Sequence, residues 1–247
     1  MRIAPGGALA PDIEAPILVD RAFQHAFILL CKSRVEARFL HISDYPFLPF
    51  LFLPCYPDKG EFMARTESTM LALGTPAPAF DLPDVMSGKR ITLQSFEGKR
   101  ALLVMFICRH CPYVKHVQFE LARLGNNYAG QSLGIVAISS NDAGAYPDDA
   151  PDSLREMALE LGFNFPYCYD ESQEAARAFA AACTPDFYLF DDKRQLVYRG
   201  QLDDSRPRND IPVSGRDLRK AIDSLLNGRP IEGPQVPSLG CNIKWRQ

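Results

Sequence analysis

The 247-residue sequence predicts an α/β fold, a mixed central β-sheet flanked by helices. Three observations carry that expectation. Ala101-Leu-Leu-Val-Met-Phe-Ile107 is a continuous apolar run of strand length, suited to a strand buried on both faces. Directly after it, Val114, Val117, Leu121 and Leu124 recur at three- and four-residue spacing, the apolar stripe of a helix. Further on, a second buried strand, Gly134–Ile138, and a late pair of strands, Phe187–Phe190 and Leu196–Tyr198, alternate with helical segments. Helix-separated strands imply parallel pairing, and the late hairpin adds antiparallel strands.

Residues 1–62 mix Pro, Gly and scattered apolar residues with no sustained period of 2 or 3.6. They are expected to be a poorly ordered extension, or upstream sequence ahead of a start at Met63 or Met70. From Gly74 the pattern sharpens. Phe80-Asp81-Leu82 and Ile91-Thr92-Leu93, with Ser87-Gly88-Lys89 as the turn, predict a small N-terminal hairpin. Phe96-Glu97-Gly98-Lys99 leads into the central strand. Asn141–Pro151 is a loop, and Ser153 with Glu156 predicts a capping box for a helix that ends at Gly162. Phe165–Tyr169 is a short strand. Asp170 and Gln173 can cap a short helix through Phe179. Ser214 opens a last helix with Leu218, Ile222, Leu225 and Leu226 on one face, and Gly228 stops it. The domain is therefore expected over 63–227, with 228–247 as a tail packing on it.

Composition excludes several classes. A formal net charge of −3, without any Lys/Arg-rich run, leaves no electrostatic footprint for nucleic acid. Phe47–Leu53 is broken by Pro49 and falls far below the roughly 18–20 residues that span a bilayer, so no membrane partner is expected. Acidic Asp12, Glu14 and Asp20 stand where a signal peptide needs a basic region. Seven cysteines, at 31, 55, 108, 111, 168, 183 and 241, are odd in number and unevenly spread. That pattern fits reducing, cytoplasmic surroundings rather than a disulfide scaffold.

The chemistry is expected at Cys108-Arg109-His110-Cys111-Pro112, where the buried strand becomes a helix. Unpaired N–H groups and the helix dipole stabilise an anion at that point, and a thiolate is one. Pro112 fits the first turn, where its missing N–H has no partner to lose. His110 can add positive charge, and His116 is expected on the helix surface. A zinc site is the competing reading and would need two further ligands from His110, His116 or Cys183.

This combination resembles a known family. A buried strand ending in Cys-x-x-Cys, followed much later by Thr184-Pro185 before a hairpin, looks like the thioredoxin fold. Gly74-Thr-Pro-Ala-Pro-Ala-Phe-Asp-Leu82 resembles the opening of redoxin domains of the alkyl hydroperoxide reductase/thiol-specific antioxidant (AhpC/TSA) type. The resemblance runs from about Leu73 to Leu226, with a family-like tail ending Gly240-Cys-Asn-Ile-Lys-Trp245. It implies that Cys108 is an exposed nucleophile of lowered pKa and that Cys111 is the more buried resolving thiol. It also implies that Pro185 is a cis-proline, turning the Thr184 backbone toward the sulfurs to offer edge-strand hydrogen bonds to an extended substrate.

The motif departs from the family's patterns. Thioredoxin's Trp-Cys-Gly-Pro-Cys is replaced by Ile107-Cys-Arg-His-Cys111. The peroxiredoxin Pro-x-x-x-Thr-x-x-Cys is absent, Val104 and Cys108 standing for Pro and Thr when Cys111 is set at its cysteine. The expected activity is thiol–disulfide exchange through a mixed disulfide with protein or small-molecule disulfides. It needs no metal or organic cofactor and draws its electrons from a dithiol system. The alternatives are a thiol peroxidase and a binding module that does not cycle.

Cys183 should lie near the sulfurs, as a candidate third redox residue or a buried hydrophobe. Cys241 is expected to pack in the tail rather than resolve, and Cys168 to lie in the core. Asp203-Asp204-Ser205-Arg206 reads as a solvated loop, and Trp245 as a ring buried to anchor the tail. No role is legible for Cys31 or Cys55.

Overall fold

The structure, a computed structural model, describes residues 65–247. The expectations for residues 1–62, for a start at Met63, and for Cys31 and Cys55 lie outside the described residues. The strands are β1 (Arg65–Glu67), β2 (Asp81–Pro83), β3 (Arg90–Thr92), β4 (Ala101–Phe106), β5 (Leu133–Ser139), β6 (Tyr167–Tyr169), β7 (Cys183–Thr184), β8 (Asp186–Phe190), β9 (Leu196–Arg199) and β10 (Leu239–Asn242). The helices are α1 (Pro112–Asn127), α2 (Pro151–Leu161), α3 (Glu174–Ala178) and α4 (Arg216–Leu226).

The central sheet has the order β6-β5-β4-β8-β9. Strand β4 pairs parallel with β5 and antiparallel with β8, with Val104 opposite Val136 on one side and Tyr188 on the other. This mixed sheet with helices packed on it is the thioredoxin fold. The N-terminal hairpin forms from β2 and β3, Leu82 opposite Ile91.

All six residues of β4 are buried, because the strand feeds two cores at once. Leu103 and Met105 pack with Val114, Val117, Leu121 and Leu124 of α1, Leu154 and Met157 of α2, and Leu218 and Ile222 of α4. Leu102, Val104 and Phe106 point into a second core with Phe80, Leu82, Ala176, Phe179 and Tyr188. Alternation along one strand thus decides which residues meet which layer. Burying each such Leu, Val or Phe side chain contributes about 1.5–3 kcal/mol before entropy is counted.

Several local expectations are corrected. Helix α2 starts two residues before Ser153, with Pro151 at its first position, a place proline's fixed φ suits. Ser153 and Glu156 therefore form no capping box. The Ser153 hydroxyl donates to the Pro147 carbonyl at 3.4 Å, and Glu156 pairs with Arg109 at 2.8 Å. Gly162 does end α2, at φ 66°. Asp170 Oδ2 accepts the Ala176 amide of α3 at 3.0 Å, whereas the Gln173 side chain reaches the Ser140 and Lys244 carbonyls.

The stretch Asp203–Arg206 is not simply solvated. Asp203 is buried and accepts the amides of Ser205, Ser214 and Gly215, which fixes the entry to α4. His116 is half-buried and hydrogen-bonded to Ser205 at 2.7 Å. Trp245 is 38% exposed, its ring covered by the Arg177 guanidinium at 4.6 Å rather than by the core. The end of the chain is held instead by buried Ile243 and by Lys244, whose amide donates to Asn141 Oδ1 at 2.8 Å.

A second, three-stranded sheet has the order β1-β10-β7. It places the tail strand against the segment that precedes Pro185: Cys241 is opposite Thr184, and Asn242 opposite Cys183.

Candidate active site

Four pieces of chain meet here: the end of β4, the start of α1, β7 and β10. Cys108 and Cys111 flank the turn between β4 and α1, and Cys111 is the residue that caps α1, with Pro112 as its first helical residue. The peptide bond between Thr184 and Pro185 is cis. Thr184 faces both sulfurs: its hydroxyl lies 3.3 Å from Cys108 Sγ, and its carbonyl 3.2 Å from Cys111 Sγ. Cys108, Cys111, Thr184, Pro185 and His110 are therefore brought together.

Two expectations about the sulfurs are reversed. Cys108 is fully buried rather than exposed. Its pKa is raised: burial disfavours the thiolate, and a hydrogen bond to Cys111 and the charge of Asp149 add to that. Cys111 carries the lowered pKa. Burial opposes its ionisation, but hydrogen bonds from Cys108 and Cys241, the Val114 amide in the first turn of α1, and Thr184 outweigh it. Cys111 also sits on the helix N-terminus, three residues beyond Cys108.

The neutral Cys111 thiol can donate to the Thr184 carbonyl, whereas the thiolate collects donors instead. One of these donors was not read from the sequence as part of the site. Cys241 Sγ is 2.9 Å from Cys111 Sγ, and Cys241 is buried. Its own pKa is raised, first by the hydrogen bond to Cys111 and then by burial. The signal available in the sequence was Gly240, next to Cys241. A Cβ built on Gly240 would fall 1.9 Å from the Thr184 carbonyl oxygen, so only glycine lets β10 come this close.

Cys183 lies one residue from Thr184 but outside this sulfur cluster. Its thiol donates to the Pro185 carbonyl at 3.6 Å, and burial pushes its pKa up. Cys168 is buried in the core, as its strand position implied.

The edge of β7 is not open to an extended substrate, which corrects the expectation for Thr184. Strand β10 already pairs with it, Cys241 against Thr184.

The turn between the sulfurs is held by Asp149, which is wholly buried. Its Oδ1 accepts the amides of Arg109 at 2.7 Å and His110 at 3.1 Å. Its Oδ2 accepts Asn141 Nδ2 at 2.7 Å and meets the His110 Nδ1. Burial alone would raise the Asp149 carboxyl, but His110 and Asn141 bring it below the usual range. The His110 ring stacks on Tyr146 at 5.1 Å, and its buried Nε2 has no partner.

Sulfur, imidazole and carboxylate donor atoms of Cys108, His110 and Asp149 lie within 4.8 Å of one another, the one set among the described residues able to hold a metal ion. Both oxygens of Asp149 are already engaged, and His116 and Cys183 are not in the set. The chemistry of this donor set fits a braced thiol turn better than a zinc site, which favours four ligands.

Residues 73–199 match the model of the AhpC/TSA family. An uncharacterized conserved protein from Geobacillus kaustophilus, solved as a crystal structure, is 54% identical, with 74% of this chain and 97% of that one covered and a TM-score of 0.73. The thiol:disulfide interchange protein DsbE of Pseudomonas fluorescens is 23% identical over 170 residues, 66% of this chain and 96% of that protein. A provisionally named peroxiredoxin of Mycobacterium tuberculosis is 26% identical over 116 residues, 47% of this chain and 68% of that protein. With its Cys-x-x-Cys turn on a thioredoxin fold and a family match over more than half its length, the chain belongs to the AhpC/TSA family of redoxins.

Proposed function

We propose that the protein is a thiol–disulfide oxidoreductase whose working couple is Cys108 and Cys111, with Cys111 as the attacking sulfur. The observation that carries this is the setting of Cys111: it stands at the N-terminus of α1, with the Thr184 carbonyl 3.2 Å and Cys241 Sγ 2.9 Å from its sulfur. Thiolate, not thiol, is the nucleophile in exchange.

Cys111 attacks one sulfur of a substrate disulfide. The substrate S–S bond breaks, a Cys111–substrate disulfide forms, and the other half leaves as a thiolate. The negative charge at 111 is then gone, which removes one of the causes holding Cys108 protonated. Cys108 passes its proton to the departing thiolate and attacks Cys111 Sγ. The Cys108–Cys111 disulfide forms, and the second half of the substrate leaves reduced. An external dithiol returns the couple to its reduced state. No metal or organic cofactor enters these steps.

The closed edge of β7 and the burial of both sulfurs favour small disulfides over long peptides. The same burial supports a second reading, a peroxidase. There, peroxide would oxidise the Cys111 thiolate to a sulfenic acid and leave as an alcohol or water. Cys108 would then condense with the sulfenic acid, releasing water. The relative named as a peroxiredoxin is consistent with it. A cytoplasmic location rests on the cysteine pattern alone; among the described residues no helix is long and apolar enough to cross a membrane.

Trapping tests the assignment. A variant carrying both Cys108→Ser and Cys241→Ser, which leaves no neighbouring thiol at 2.9 Å to displace the adduct, is expected to accumulate a mixed disulfide at position 111 when given a small disulfide. Trapping instead at Cys108 in a Cys111→Ser variant would reverse the roles. Consumption of peroxide far faster than of disulfides, with a dithiol reductant present, would move the reading to the peroxidase.

A further inference from the structure

We propose that Cys241 is a third redox sulfur, and that Cys111 exchanges between two disulfides inside the same chain, one with Cys108 and one with Cys241. The inference rests on the reading that Cys111 is the attacking sulfur, and extends it to a residue outside the Cys-x-x-Cys motif.

Three independent features place Cys241. The first is distance: its sulfur lies 2.9 Å from Cys111 Sγ, so only a small movement separates the pair from a bond of about 2.05 Å. The second is backbone. Strand β10 lies on the β7 edge with Cys241 opposite Thr184, the residue whose hydroxyl and carbonyl face the two sulfurs. The tail thus brings a thiol of its own to the Cys108–Cys111 turn. The third is the adjacent glycine. Gly240 permits an approach to the Thr184 carbonyl that any side chain would block.

A tail that only needed packing could carry an apolar residue at 241. The registration on both sides is firm, since β10 also pairs with β1, Cys241 opposite Arg65. Beyond it, Ile243 and Lys244 are fixed to the core and to Asn141.

The exchange balances without any added oxidant. In the Cys108–Cys111 disulfide, Cys241 loses its proton and attacks Cys111 Sγ. The bond to Cys108 breaks, the Cys111–Cys241 bond forms, and Cys108 takes the electron pair and the proton. The oxidation stays within the chain. Cys108 becomes a free thiol, and the tail becomes covalently tied to the start of α1. Reduction by an external dithiol at either disulfide returns all three thiols.

The test uses the full chain. Reduced wild-type protein and the variants Cys108→Ser, Cys241→Ser and Gly240→Ala are oxidised with diamide, quenched in acid, alkylated and peptide-mapped without reduction. The Cys108→Ser variant is expected to lose the thiols of Cys111 and Cys241 together, as one intramolecular disulfide. Wild type quenched at successive times should contain both the 108–111 and the 111–241 linkages. Cys241→Ser should show only the first, and Gly240→Ala should lose most of the second.

The idea is overturned if Cys241 stays alkylatable in oxidised Cys108→Ser and no 111–241 peptide arises in wild type at any time. Because wild type is read directly, a Cys108→Ser chain that fails to fold does not rescue it. A 108–111 linkage without any 111–241 linkage sinks this inference and leaves the proposed couple standing. The converse pattern removes Cys108 from the couple and keeps Cys241.

Discussion

Replacing Asp149 by Ala should both weaken the fold and change the sulfurs, and the size of each effect follows from its contacts. The carboxylate accepts two amides, from Arg109 and His110, and two side-chain donors, from His110 and Asn141. Asn141 is 2% exposed and cannot turn to water, and the amides lie in the turn that carries the sulfurs. Each buried donor left unpaired costs about 1–3 kcal/mol, and water entering the vacated space offsets part of this. The net expectation is a loss of about 3–5 kcal/mol, at the upper end of single-residue effects.

The negative charge of Asp149 also helps to keep Cys108 protonated, so its removal should move Cys108 ionisation to lower pH. The pH dependence has a definite sign. The Asp149 pKa is lower in the folded chain than unfolded, so its contribution is complete above the unfolded value of about 3.9. It is lost as pH falls through the folded value, and Asp149→Ala should lack that part of the acid-induced loss. Urea unfolding at neutral pH and across the acid range, beside thiol titration, measures all three. A loss under about 1 kcal/mol with the Cys108 titration unmoved would refute the view that this carboxylate braces the turn.

Other outcomes follow from the same geometry. Thiolate absorbance in the far ultraviolet should persist well below a free cysteine's pKa of about 8.5 and vanish in Cys111→Ser, whereas Cys108→Ser should retain part of it. Gly240→Ala should cost about 1–3 kcal/mol of stability in a urea melt, since its Cβ can be accommodated only by moving β10 off β7. Arg199→Met leaves the buried Asp186 without its ion-pair partner at 3.1 Å and should cost about 3–5 kcal/mol. Arg109→Ala removes an ion pair with the exposed Glu156 and should change stability by under about 1 kcal/mol.

The sequence alone determined the strands and helices around the site, because their signals are local. An unbroken apolar run has to be buried on both faces, and β4 is. A three–four stripe has to face a core, and α1 does so through Val114, Val117, Leu121 and Leu124. Cys-x-x-Cys followed by Pro at a helix start marked where the proposed chemistry sits. What the sequence left open depends on partners distant in the chain. Asp149, 38 residues beyond Cys111, looked like loop, and it is the brace of the thiol turn. Cys241, 130 residues beyond Cys111, looked like tail, and its sulfur meets the one at 111.

The donors around the pair were also beyond the sequence. A thiol's acidity is the balance of burial against the donors that surround it, and those donors come from α1, β7 and β10 together. Spacing along the chain could say that two sulfurs would meet; only the packing of β10 against them brought a third sulfur within 2.9 Å of Cys111.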